Sequence, residues 1–312
     1  MTMDAKLFSL TFLAGAAALV LLTPVARAQT QTLFVADGHD TIWEIQGGTI
    51  TSFSTGIGGP QSIAFASNGH LFSADIGSGS ILDIAPDGSR VAFTSGLHQP
   101  SSLTFDSQGN LYIGSQQDST IVEYPKIGGV LSTTPVVIDP NILFPFAIAV
   151  DSQGNIYSND ANTGSIDKID AVTHNVTTFA SGTDVTNGMT FDSKGNLWGA
   201  ELREDRVVKV TPTGQETFFG LTGLQSPTGL AFDSLGDLYV TNRGGADGGF
   251  VLEYTNNGGT LSNTPIDVPS FFPGSLNDVV VQPLGVPEPS SLGLAVMGIF
   301  AGPLFLRRRK RG

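Results

Sequence analysis

The residues of this 312-residue chain that could do chemistry are mostly neutral and far apart. Cysteine is absent. The four histidines, His39, His70, His98 and His174, show none of the short spacings that bring two imidazoles onto one metal. No serine sits in a nucleophile elbow and no glycine loop has the phosphate-binding pattern. Asp106-Ser107-Gln108-Gly109-Asn110 has the outline of a calcium loop, yet it lacks alternating acids and the distal bidentate glutamate, so Asp106 reads as a turn cap. What remains is a series at a nearly constant interval: Gln61, Ser101, Phe146, Asn187, Thr228 and Asn277, the last followed by Asp278. Gathered in a ring, such amides and hydroxyls would hydrogen-bond a polar ligand. Asp278 is the one acid adjacent to that ring, whereas a hard cation such as Ca²⁺ takes about six to eight oxygens, typically with carboxylates among them.

The elements that must gather them are marked by one eight-residue phrase. It occurs five times: FASNGHLF from Phe65, FDSQGNLY from Phe105, VDSQGNIY from Val150, FDSKGNLW from Phe191 and FDSLGDLY from Phe232. In each, an apolar residue ends one strand, a polar run turns the chain, and an apolar-aromatic pair begins the next strand. The Asp or Asn caps backbone N–H groups, and the Gly accepts a positive φ. Each phrase is therefore a β-hairpin.

The phrases start 40, 45, 41 and 41 residues apart, and each is followed by two further short β-rich runs with no helical periodicity. Four strands at this period predict a propeller blade. Five complete blades follow from the five phrases. Near the N-terminus, Leu33 to Asp37, Thr41 to Ile45 and Ile50 to Phe53 supply three strands without an innermost one. Near the C-terminus, Asn277 to Val281 is a single strand without its other three. Together they make a sixth blade that closes the ring and hides the sheet edges. The predicted fold class is all-β, a six-bladed β-propeller whose closing blade is shared between the two ends of the chain.

Two blades carry longer outer loops, Gly128 to Pro135 and Gly258 to Pro265, which are near-copies 130 residues apart. They fall on opposite sides of the ring, marking either a paired surface or an old duplication. With the innermost strand of each blade lining the channel, the phrases lie on one face. The six ring residues then lie at the mouth on the other, the default binding site. The loops between second and third strands bring charge to that mouth face, among them Asp37, Asp75, Asp118, Asp160 and the cluster Glu201 to Arg206. Their expected role is solvated surface charge.

The two ends read as addresses. A short polar start with Lys6, the apolar run Leu7 to Leu22 and the small-x-small site Ala26-Arg27-Ala28 predict a secretory signal peptide over residues 1–28, with a retained membrane anchor as the alternative. At the other end Pro287-Glu288-Pro289 precedes an apolar run, Ser291 to Leu306, and five cations, Arg307 to Arg311. That run is just short of a usual bilayer span, and the cations would hold its end in the cytoplasm. Residues 286–312 thus form a tail distinct from the propeller body, 29–285. That body holds eight Lys and Arg against 26 Asp and Glu, a net charge near −18. Such a balance excludes a nucleic-acid partner, whose phosphates need clustered cations.

The repeats resemble the NHL and SMP-30/gluconolactonase-like six-bladed propellers, most clearly at Pro227-Thr228-Gly229-Leu230-Ala231-Phe232-Asp233-Ser234-Leu235-Gly236-Asp237-Leu238-Tyr239. The resemblance implies a candidate divalent cation at the channel mouth, with Asn187 of Thr186-Asn187-Gly188 at the family's Asn-Gly position. Thr228 stands where a carboxylate would be expected, leaving Asp278 as the nearest acid. The tail resembles the PEP-CTERM signal processed by exosortases. That implies export, transient inner-membrane anchoring and release to the cell surface or matrix. The expected function is a binding or scaffolding module with polysaccharide or a surface protein as partner; the alternative is a metal-dependent lactonase. Ligand contacts are expected from Gln61, Ser101, Asn187, Thr228 and Asn277, and any metal at Asn187 and Asp278.

Overall fold

The computed structural model describes residues 31–138, 144–160, 162–182, 186–245, 248–268 and 272–284; the predicted signal peptide and the Pro287-Glu288-Pro289 tail lie outside them. Six four-stranded antiparallel sheets form a six-bladed propeller. Blade one joins the two ends of the body: Leu276–Val281 lies innermost, followed outward by Leu33–Asp37, Thr41–Gln46 and Thr49–Thr55. The seam is in register from Leu33 opposite Val281 to Ala36 opposite Asp278. In the other blades the innermost strands are Pro60–Phe65, Pro100–Phe105, Pro145–Val150, Thr186–Phe191 and Pro227–Phe232, and the rest follow in chain order.

Burial falls off from the second strand outward. All five residues of Leu33–Asp37, Leu71–Asp75, Leu111–Ser115, Ile156–Asp160, Leu197–Glu201 and Leu238–Asn242 are buried. These strands have a blade packed on each face, which is why both alternating sets are shielded. The outer strand Arg90–Ser95 starts with three exposed residues.

In four of the five phrases the leading phenylalanine holds one blade to the next. Phe105, ending the innermost strand of blade three, meets the ring of Phe72 in blade two edge-on at 5.2 Å, and Phe72 meets Phe93 of its own outer strand at 5.5 Å. Phe65 and Phe53 flank Phe34 in the same way, Phe191 and Phe179 flank Tyr157, and Phe232 and Phe219 flank Trp198. Most of these ring pairs are edge-to-face, the geometry the aromatic quadrupole favours.

The phrase turns are built as the sequence implies. Asp106 Oδ1 accepts the N–H groups of Gln108 and Asn110, while its Oδ2 accepts Asn110 Nδ2 and the Tyr112 hydroxyl. Asp151 and Asp192 repeat the arrangement, and Gly109 turns with φ 86°. The two longer loops are more than loops. Each contains a small hairpin, Lys126–Ile127 with Val130–Leu131 and Asn256–Asn257 with Thr260–Leu261.

Phe105 tests the stacking directly. Phe105→Ala is expected to lower unfolding stability by about 3 kcal/mol, and Phe105→Leu by only about 1 kcal/mol. Urea unfolding should show a lower midpoint with unchanged slope.

Candidate functional site

Every predicted ring residue falls on a break in strand pairing. In blade two the register passes from Pro60 opposite Asp75 to Ser62 opposite Ala74, leaving Gln61 unpaired. Ser101 is skipped likewise, and so is Asn277 between Leu276 and Asp278. Phe146, Asn187 and Thr228 lie within the equivalent shifts of blades four, five and six. A bulge turns the side chain it frees away from the pleat, so this repeated irregularity sets what each ring residue faces.

The six then part company. Gln61, Ser101, Asn187 and Asn277 line a central cavity of about 290 Å³ together with Asp278; Thr228 and Phe146 do not line it. Thr228 is buried between blades, where its hydroxyl lies 3.0 Å from Leu276 O and 3.1 Å from Thr241 Oγ1. Ser101 donates to Pro145 O at 2.7 Å, and Asn277 Nδ2 to Pro60 O at 3.1 Å. Three ring residues thus reach the first residues of the next blade's innermost strand. Gln61 meets Asn277 Nδ2 through Oε1 at 3.3 Å.

The residue after each ring position forms a second layer. Asp278 Oδ2 accepts the Ser62 hydroxyl at 3.0 Å and the Ile63 N–H at 2.9 Å, and its Oδ1 accepts the Val279 N–H. Ser62 Oγ in turn accepts the Leu103 N–H, and Ser102 Oγ accepts the Ile148 N–H. Half the channel is thereby clasped by side chains running from blade one to blade four. In the other half the equivalent residues are Ala147, Gly188 and Gly229. A Cβ on Gly188 would stand 2.4 Å from Thr228 O, and one on Gly229 2.6 Å from Asp278 Cα. Only glycine permits that approach.

This donor set does not fit the cation that the resemblance implies. Among the described residues lining the channel the one carboxylate, Asp278, has both oxygens engaged by protein donors, and the other polar side chains are neutral amides and hydroxyls. Among the described residues no three His, Cys, Asp or Glu side chains gather in metal-binding fashion. Ca²⁺ typically needs carboxylates to offset its desolvation.

The structure corrects the reading of the mouth-face loops as solvated charge at four acids, while Asp118 and Arg203 to Asp205 are exposed as expected. Asp37, Asp75, Asp160 and Glu201 are 3%, 5%, 7% and 0% exposed. Asp37 Oδ1 accepts the N–H groups of His39, Asp40 and Thr41, and Oδ2 accepts Trp43 Nε1. Asp75 binds Gly77 and Ser78 in its own loop and Gly58 in the preceding one. Glu201 pairs with Arg206, whose guanidinium stacks on Phe218 at 3.9 Å. These acids fix the loops around the mouth. The signal was in the phase of the repeat, because Asp37, Asp75, Asp160 and Glu201 each stand three residues after the second-strand aromatic.

With this geometry established, residues 99–244 match the SMP-30/Gluconolactonase/LRE-like region, and residues 285–310 match the PEP-CTERM protein-sorting motif. No curated protein matches the chain. Similar solved structures include one from a nidogen/laminin complex, with TM-score 0.66 and 20% identity, covering 81% of this chain and 98% of that one. A putative gluconolactonase gives TM-score 0.60 and 16% identity over 73% and 86% of the two chains. Virginiamycin B lyase from Staphylococcus aureus gives 0.55 and 16% over 75% and 83%. At these identities the structural likeness speaks for fold alone. The chain is a six-bladed β-propeller that carries an SMP-30/gluconolactonase/LRE-like region over residues 99–244 and a C-terminal PEP-CTERM sorting motif. That motif implies an exported, exosortase-processed protein sorted to the cell surface.

Asp278 gives the site a pH signature. Burial pushes its carboxyl up to about 6 from 3.8, against the opposing pull of the Ile63, Val279 and Ser62 donors. The folded state therefore holds this proton more tightly than the unfolded chain. Its stabilising contribution is complete below about pH 4 and is lost as pH rises through 6, a change of about 3 kcal/mol. Comparing urea unfolding of wild type and Asp278→Asn, the difference should shift by about this amount in the variant's favour between pH 4 and 7.5. A pH-independent difference would remove the assignment.

Proposed function

We propose that the exported propeller acts as a binding or scaffolding module at the cell surface or in extracellular matrix, with polysaccharide or a surface protein as its partner. The observation that carries this reading is the engagement of Asp278. Among the described residues lining the channel Asp278 is the one acid, and it closes the ring; the polar groups described beside it are amides and hydroxyls. A mouth of Gln61, Asn187 and Asn277 instead offers both amide donors and acceptors, which suits reversible contact with a polar ligand.

The lactonase alternative is tested on the full chain purified in mild detergent with calcium present. The expected result is no stoichiometric cation in elemental analysis and no calcium-dependent hydrolysis of aldonolactones. Turnover that requires calcium and disappears in Asn187→Ala would overturn the binding-module reading.

Sorting is tested separately in the producing cell. Glu288→Gln, or deletion of Arg307 to Arg311, is expected to leave full-length protein in the inner-membrane fraction, followed by immunoblot. Wild-type processing of both variants would contradict the assignment of the tail.

A further inference from the structure

The face opposite the mouth carries two grooves that the channel reading does not use. One lies between blades five and six, with a cavity of about 420 Å³ floored by Trp198, Phe219 and Phe232. The other lies between blades two and three, about 400 Å³, floored by Phe72, Phe93 and Phe105. Both fall within the roughly 300–1,000 Å³ of small-ligand sites. The floors are the same three positions of the repeat. The roofs are the two extra hairpins, Thr260–Leu261 over one and Val130–Leu131 over the other. The near-copy loops 130 residues apart therefore build equivalent grooves three blades apart.

A lysine bridges each groove. Lys194 Nζ, from a phrase turn, reaches Gly259 O on the roof at 3.3 Å; Lys126 Nζ, from a roof hairpin, reaches Ser67 Oγ on a phrase turn at 2.9 Å. Lys209 adds a second ammonium to the blade-five groove, 5.5 Å from the Trp198 ring and 5.8 Å from the Phe219 ring. Three of the eight cations of a strongly acidic body thus stand at two grooves, none in an ion pair with a carboxylate among the described residues. The neighbouring acids are engaged elsewhere. At the blade-five groove Asp192 accepts four donors of its own turn, including Trp198 Nε1, and Asp233 accepts the N–H groups of Leu235 and Asp237; at the other, Asp83 pairs with His70 at 2.6 Å.

We propose that the two grooves are a paired site for an acidic polysaccharide, each taking one sugar ring. The flat C–H face of the ring lies against the aromatic floor, its carboxylate meets the bridging lysine, and its hydroxyls meet the polar walls. The lysines lack a carboxylate partner among the described ion pairs whereas the acids beside them are held by their own donors, which favours an anion, and an apolar floor with hydroxyl-bearing walls at Ser193, Ser234 and Thr260 favours a sugar over an acidic peptide. The net negative charge of the body does not forbid this, because at physiological salt charges beyond about 8 Å are screened and the local lysines decide. Two grooves on one face let a repeating polymer engage twice, the second time intramolecularly. The proposal rests on the binding-module reading but not on the channel mouth.

The test measures binding of the full chain, in mild detergent, to polygalacturonate, dextran and polyglutamate by biolayer interferometry. Polygalacturonate should bind at least about tenfold more tightly than either control, the difference that one lost charge or stacking contact makes. Lys194→Gln and Lys126→Gln should each weaken it, and the double variant should weaken it about 100-fold through loss of avidity. Retention of this binding in Asn187→Ala would support the grooves as its seat. Four results would overturn the proposal: no polygalacturonate binding, equal binding of dextran, equal binding of polyglutamate, or wild-type affinity in the double variant. Loss of binding in Asn187→Ala with retention in the lysine variants would also overturn it, while leaving the reading of the mouth intact.

Discussion

The propeller depends on a closure that no single strand can make. Blade one exists only because Leu276–Val281 returns to pair with Leu33–Asp37, and the carboxylate of Asp278 carries that closure sideways into blade two through Ser62 and Ile63. Backbone pairing alone would leave the closing strand facing its neighbour across an open channel wall. A carboxylate accepting three donors there ties the last strand to the first complete blade. The cost is visible in its raised carboxyl. Burial opposes the charge, and the hydrogen bonds recover only part of the loss. A hydroxyl in that place would be cheaper to bury, and Ser62 and Ser102 are the hydroxyls used at the next two positions.

That clasp explains why the channel is a poor catalytic chamber in this chain. A residue at the mouth of a propeller can hold its neighbours or hold a ligand, and an oxygen already accepting two protein donors has little capacity left for a cation. Ser101, Thr228 and Asn277 have gone the way of Asp278, each reaching backbone of the following blade. Gln61 and Asn187 retain more freedom, and the functional reading of the mouth narrows to them.

Much of this was legible in the sequence for a simple reason. Gly109 and its equivalents need positive φ and Asp106 and its equivalents need turn N–H groups, so both are fixed by local geometry and repeat with the blade. Phase also revealed the shared blade, because three strands at one end and one at the other add to a whole. What was not legible was the direction in which polar side chains point. Asp37, Asp75 and Asp160 look like loop acids in sequence, yet their oxygens face inward because the preceding strand is packed on both sides and delivers its last residue to the interior. Thr228 looked like a mouth residue; a bulge and a neighbouring carbonyl turned it between blades. For the acids the phase of the repeat held the clue, since their partners are mostly within six residues; for Thr228 the outcome depends on Leu276, 48 positions away, which spacing within one repeat cannot encode.

The two faces are consequently under different constraints. On the mouth face the charged side chains hold loops, so replacing one is expected to disturb the scaffold before it alters recognition. On the phrase face Asp106, Asp151 and Asp192 accept donors within six residues of their own turn, and Asn110, Asn155 and Asp237 reach the N–H groups of Lys126, Ala171 and Asn256 in the same blade. Lys126, Lys194 and Lys209 contact only neutral acceptors or rings there. A repeat fold that keeps its polar bonding local on one face can vary that face without losing its closure. The paired hairpins over the two grooves occur on the face where such variation is tolerated, added to two of the six blades without disturbing the ring.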